Sequence, residues 1–165
     1  MASIATSTYL PALRAPHERE GIGRQLEEVL LELVNLSLIG KQLHWAVIGP
    51  AFRPLHLQLD ELVDSWRDLA DIVAERAVAL VFIPDGQSQA VAASSQLAPV
   101  AQEAIDDHVV VRELTNRIAE ISELTRERMT RLGEVDLASQ DVLIEVVREL
   151  EKQQWMLRAQ LEERA

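Results

Sequence analysis

Residues 83–100, IPDGQSQAVAASSQLAPV, lie between two long helical patterns and decide how those patterns connect. Prolines at 84 and 99 bound the stretch, which has no sustained apolar period, and Ser88 is placed to cap a short helical turn through Ala93. Before it, residues from about 53 to 80 form a helix with Pro54 in its first turn, where a missing amide hydrogen costs little. At 1.5 Å per residue that helix spans about 40 Å. Gly49-Pro50 separates it from a first segment, about 23–47, in which Leu26, Val29, Leu30, Leu33, Leu36 and Leu43 fall on more than one face. Such a helix is expected to be buried against both its own bundle and a neighbouring subunit.

After the crossover, residues from about 104 to 132 place Val111, Leu114, Ile118 and Ile121 on one stripe. Beyond Gly133, residues from about 138 to 163 do the same with Leu143, Val147, Leu150, Gln154, Leu157 and Leu161. A connection as long as 83–100 can traverse a bundle, which simple up-down-up-down topology does not need. The expected fold is all-α, a four-helix bundle with one long crossover, itself carrying a short helix, between the second and third helices. Residues 1–20 read as an N-terminal tail and 21–165 as the bundle, without internal repeats.

With 165 residues, 48% of them apolar and 26% charged, the chain can bury a core as one domain. Cysteine is absent, which excludes disulfides, thiolate zinc sites and iron–sulfur clusters and leaves His, Asp and Glu as the strong metal ligands. The longest apolar run, residues 77–83, falls far short of the roughly 20 residues a membrane helix needs. The N-terminus lacks the basic and apolar regions of a secretory signal, so a cytoplasmic location is expected. A formal charge of −11 argues against nucleic acid as a partner and suits cations, although acidity also serves plain solubility.

The second helix holds two pairs at i,i+4 spacing, His56 with Asp60 and Asp71 with Glu75, each on one face. The step from Asp60 to Asp71 is only about 20° past three full turns, so all four share a stripe. Their centres are nevertheless about 22 Å apart along the axis, too far for one ion to bridge. The position numbers of His56 and Glu75 sum to the same value as those of Asp60 and Asp71. A two-fold axis near Ser65 and Trp66 would therefore set His56 against the partner copy's equivalent of Glu75 and Asp60 against that of Asp71, giving two equal sites. The same dyad pairs Asp64 with Arg67 across the interface. His44, near the end of the first helix, is folded back by the Gly-Pro turn and offers a further nitrogen. The Glu-x-x-His motif of sites buried within one bundle is missing, which favours the shared geometry. Taken singly, each pair could equally be a solvated neighbour interaction on a helix surface.

The same residues carry a family resemblance. Residues 41–76, KQLHWAVIGPAFRPLHLQLDELVDSWRDLADIVAER, resemble the ferroxidase segment of the Dps proteins, or miniferritins, of the ferritin-like superfamily: HW, a Gly-Pro turn, LH-x3-D, then D-x3-ER. Residues 139–162, SQDVLIEVVRELEKQQWMLRAQLE, are similar to that family's last helix. The resemblance covers nearly everything from about residue 21 onward. It implies a ferritin-like bundle assembled as a hollow dodecamer, with ferroxidase centres at two-fold interfaces. His44, His56 and Asp60 would come from one chain, Asp71 and Glu75 from the other. Ferrous iron would be oxidised there, typically by hydrogen peroxide, and ferric mineral stored inside, limiting oxidative damage; no organic cofactor is implied. Trp45 matches a family tryptophan near the centre, with core packing as its competing assignment, and stays outside the ligand set. Asp141 matches an acidic position at the family's three-fold pores, and with Asp136 and Glu145 it is a candidate pore lining. Acids in a first helical turn are also favoured by the helix dipole alone.

One departure matters for partners. Many Dps proteins bind DNA through lysine-rich terminal tails, whereas residues 1–20 contain no lysine, only Arg14 and Arg19 offset by Glu18 and Glu20, and the chain ends LEERA. Negligible DNA binding is expected, which ranks a nucleoid-compacting role low. The remaining alternative is a metal-free helical scaffold. Val81 and Phe82 stand where relatives often carry glycine. Tyr9, Leu10 and Leu13 are candidates for folding the tail over a neighbouring subunit.

Overall fold

The computed structural model describes residues 15–161. The readings made above for Tyr9, Leu10 and Leu13 in the tail and for residues 162–165 of the LEERA terminus lie outside them. In chain order the elements are α1 (Pro16–Ala46), β1 (Val47–Ile48), α2 (Phe52–Ala79), α3 (Ser88–Ser94), β2 (Ile105–Asp106), α4 (Asp107–Gly133) and α5 (Leu137–Arg158). The four long helices form the bundle, and the crossover between α2 and α4 carries the short α3, as its proline-bounded sequence implies. The fold is the all-α, ferritin-like one expected.

Two hairpins build the bundle, α1 against α2 and α4 against α5, closed by α1–α4 and α2–α5 contacts. The core runs the length of the helices through Leu26, Leu33, Leu36, Leu59, Leu114, Ile118, Ile121, Leu143 and Leu150, all fully buried. Trp66, also fully buried, sits at the middle of α2. It approaches α1 so closely that a Cβ at Gly40 would lie 2.5 Å from its ring, so glycine is required there.

Several details differ from the sequence reading. α1 begins at Pro16, ahead of the apolar period, because Pro16 fits the first turn and the Ala15 amide donates to Glu18. On α5 the residue facing the core is Gln153, 2% exposed, rather than Gln154. The reason is polar pairing: Trp66 Nε1 donates to Gln153 Oε1 at 2.7 Å, and Gln153 Nε2 donates to Ser65 Oγ at 2.9 Å. Ser88 begins α3 without capping it; Gln87 is the N-cap and makes no side-chain cap. A tiny parallel sheet also appears, β1 pairing with β2 as Val47↔Ile105 and Ile48↔Asp106. It fastens the end of the crossover to the end of α1 and is too short to leave a period in the sequence.

The crossover is held along its length by α1. Glu32, 5% exposed, accepts from Ser95 Oγ at 2.7 Å and from the Gln96 amide at 2.9 Å, and Asn35 Nδ2 donates to Ser95 Oγ at 2.7 Å. These bonds offset the desolvation of a carboxylate under the connection.

Candidate metal centre

His44 lies in the last turn of α1 and His56 in the second turn of α2, brought face to face by the Gly49-Pro50 turn. Their rings stack, with centroids 3.6 Å apart and planes 23° from parallel. The bonds between them are reciprocal: His44 Nδ1 lies 3.0 Å from the His56 carbonyl, and His56 Nδ1 lies 3.0 Å from the His44 carbonyl. A carbonyl only accepts, so each Nδ1 carries a proton, and in the neutral ring each Nε2 keeps its lone pair. That is the tautomer a metal-ligating imidazole needs, and backbone carbonyls fixing the other nitrogen are the usual way of setting it.

Asp60, one turn beyond His56, places Oδ1 3.4 Å from His44 Nδ1. Lys41, three residues before His44 on α1, donates from Nζ to the same oxygen at 2.5 Å. The Lys41 hydrogen bond, opposed by burial but joined by the charges of His44, Lys41 and His56, holds the Asp60 carboxyl below the usual carboxylate range. Asp60 is thus an ionised oxygen donor throughout the neutral range. Lys41 escaped the sequence reading. Its signal was its i,i+3 spacing from His44, which puts a cation on the ligand face.

Asp71 and Glu75 are exposed on the other half of α2. Neighbouring Arg76 points elsewhere, its guanidinium donating to Ser139 Oγ at 2.9 Å and to Asp136 Oδ2 at 2.7 Å. The structure therefore brings His44, His56 and Asp60 together at one end of α2 and leaves Asp71 and Glu75 about 22 Å away at the other. Among the described residues, no three His, Asp or Glu side chains of one chain are arranged to hold a metal ion. Asp64 and Arg67, read above as partners across a dyad, lie 3.7 Å apart within the chain.

Trp45 is 68% exposed, so the core-packing assignment fails; it belongs to an exposed apolar patch with Ile48 and Phe52 beside the histidines. Of the three candidate pore acids, Asp136 is the N-cap of α5, accepting from the Ser139 amide and hydroxyl and from Arg76. Burial pushes its carboxyl up, but the Ser139 and Arg76 bonds together outweigh this and hold it below its usual range. Asp141 and Glu145 are exposed one and two turns further on, in a groove of about 630 Å³ shared with Ser65 and Asp68 of α2 and with Arg148 and Lys152.

A bundle of this connectivity, with a histidine from its first helix and a histidine and carboxylates on its second, defines the class, and the family model described as a ferritin-like domain matches residues 24–165. The DNA protection during starvation protein of Mycolicibacterium smegmatis is 33% identical over 159 residues, 95% of this chain and 85% of that protein. The fine tangled pili major subunit of Haemophilus ducreyi is 35% identical over 143 residues, 86% of this chain and 75% of that protein. The solved Mycobacterium smegmatis Dps superposes with a TM-score of 0.88 at 33% identity, covering 96% of this chain and 95% of that one. The chain belongs to the Dps family of ferritin-like proteins.

Proposed function

We propose that this protein is a ferroxidase and iron store whose oxidation sites are shared between two copies of the chain. His44, His56 and Asp60 of one copy would bind ferrous iron together with Asp71 and Glu75 contributed by the other. The observation that carries the reading is the reciprocal Nδ1–carbonyl bonding of His44 and His56, which leaves two Nε2 lone pairs beside an ionised Asp60. Imidazole nitrogens accept ferrous iron, while the added carboxylates favour the harder ferric product and offset its charge. Hydrogen peroxide is the proposed oxidant: each of two ferrous ions would give up one electron, and the two electrons with two protons from solvent would cleave the peroxide O–O bond to two waters. The ferric product would collect as mineral in the cavity of a homo-oligomer, expected to be a dodecamer. Among the described residues no helix is long and apolar enough to cross a membrane.

An anaerobic ferrous titration followed by peroxide tests this. Saturable binding and rapid growth of ferric absorbance are expected, both lost in His56→Ala and Asp60→Ala. Wild-type protein that neither saturates nor speeds oxidation would leave a metal-free helical scaffold as the better reading.

A further inference from the structure

We propose that Asp107 is the positioning residue of the His44/His56 pair, acting by tying the α1–α2 turn to the first turn of α4. The proposal rests on the reading of both histidines as iron ligands. Asp107 is 2% exposed, and its Oδ2 accepts the Ala51 amide at 2.6 Å. Ala51 is the N-cap of α2 and makes no side-chain cap, and the first turn of α2 contains no acid. The Asp107 carboxylate supplies both from another part of the chain. It stands against the N-terminal ends of two helices, α2 and its own α4, where the dipoles favour negative charge.

The turn is shaped to admit it. Gly49 has a φ of +124°, and a Cβ there would lie 2.6 Å from Asp107 Oδ2 and 2.7 Å from its Cγ. Glycine is required twice over, for the backbone and for the space. Oδ1 is buried without a hydrogen-bond partner among the described residues; His108 Nε2 lies 3.9 Å from it on a mostly exposed ring. A half-satisfied buried carboxylate is costly, and it is retained where the chain reverses between the two histidines. The reciprocal histidine bonds close only when the end of α1 and the start of α2 keep their register. The β1–β2 pairing fixes one side of that turn and the Asp107–Ala51 bond the other.

The test compares wild type with Asp107→Ala, Asp107→Asn and Asp107→Glu as full chains. Solid-state ¹⁵N NMR of histidine-labelled, metal-free protein reads the tautomers, the chain having four histidines. Titration with cobaltous ion alone reads affinity. In wild type His44 and His56 should both be in the Nδ1–H form. Asp107→Ala should mix their tautomers and weaken cobalt binding about tenfold to a hundredfold, as loss of outer-shell support does. Asp107→Asn, which keeps an acceptor for the Ala51 amide, should restore both readouts to within about threefold. Unchanged tautomers and affinity in a folded Asp107→Ala overturn the proposal. Should that variant not fold, Asp107→Glu, whose extra methylene displaces the acceptor from its 2.6 Å contact with the Ala51 amide in a site packed against Gly49, should mix the tautomers, and unchanged tautomers there overturn it equally. Tautomers lost in Asp107→Ala while wild type itself binds no cobalt would support the positioning role and sink the metal reading instead.

Discussion

The Lys41–Asp60 ion pair sets the resting charge of the centre. Both residues are partly solvated, so the pair contributes little to stability and its importance is electrostatic. Because the folded-state pKa of Asp60 is lowered, the associated stability is present above the usual carboxylate pKa and is lost as pH falls through the lowered value. Lys41→Met should return Asp60 toward the ordinary carboxylate range, followed by ¹³C NMR of its carboxyl carbon. A titration unmoved by that substitution would show that the cation is not what depresses the acid. The proposed ligands His56, Asp60, Asp71 and Glu75 were legible because their spacing is arithmetic on a single helix. Lys41 and Asp107 were not: one sits on a different helix from its partner, and the other reaches across the 56 positions separating it from Ala51.

Helix α5 separates two roles that its sequence presents alike. Asp136, Asp141 and Glu145 all lie at or near its start, yet only Asp136 turns back to cap the helix and to bind Arg76 of α2. Asp136→Ala should therefore cost about 1–2 kcal/mol, the usual loss on removing an N-cap, read by denaturant unfolding at fixed protein concentration. Its stabilising effect is complete above the usual carboxylate pKa and fades as pH drops through the lowered one. Asp141→Asn should leave stability within about 0.5 kcal/mol, since the residue is an exposed surface position. If Asp141 guides cations, that variant slows iron uptake, and unchanged uptake rates remove the pore role. The same helix shows why stripe reading erred by one residue. A periodic pattern counts apolar positions, and Gln153 is buried for its amide, which satisfies the Trp66 indole.

At the scale of the whole molecule, a shared site makes a prediction that no single-chain site can imitate. His56→Ala chains and Glu75→Ala chains, each inactive alone, should regain ferroxidase activity when unfolded and reassembled together. In a mixed dimer one site collects both defects and the other collects none, so random mixing restores about one quarter of wild-type sites. Reassembly without recovery, shown to contain both chains, would place the site within one chain. The exposed apolar patch of Trp45, Ile48 and Phe52 lies beside the histidines, as expected for surface that another copy covers. The same acidic chain should fail to retard duplex DNA in a gel at physiological salt, its charge of −11 repelling phosphate. A tight complex at that salt would reverse this expectation.

The sequence by itself determined the helices, their order around one long crossover and the alignment of His56, Asp60, Asp71 and Glu75 on one stripe. These follow from periodicity and from proline and glycine placement, which are local properties of the chain. Only the tertiary structure decided which imidazole nitrogen is free, that Asp136 is spent on capping and that Gln153 belongs in the core. It also showed that a carboxylate from α4 holds the turn between the histidines. The Asp136 cap is a local bond to Ser139 reinforced from Arg76, 60 positions away, and the others depend on hydrogen bonds between separate elements, which leave no period to read.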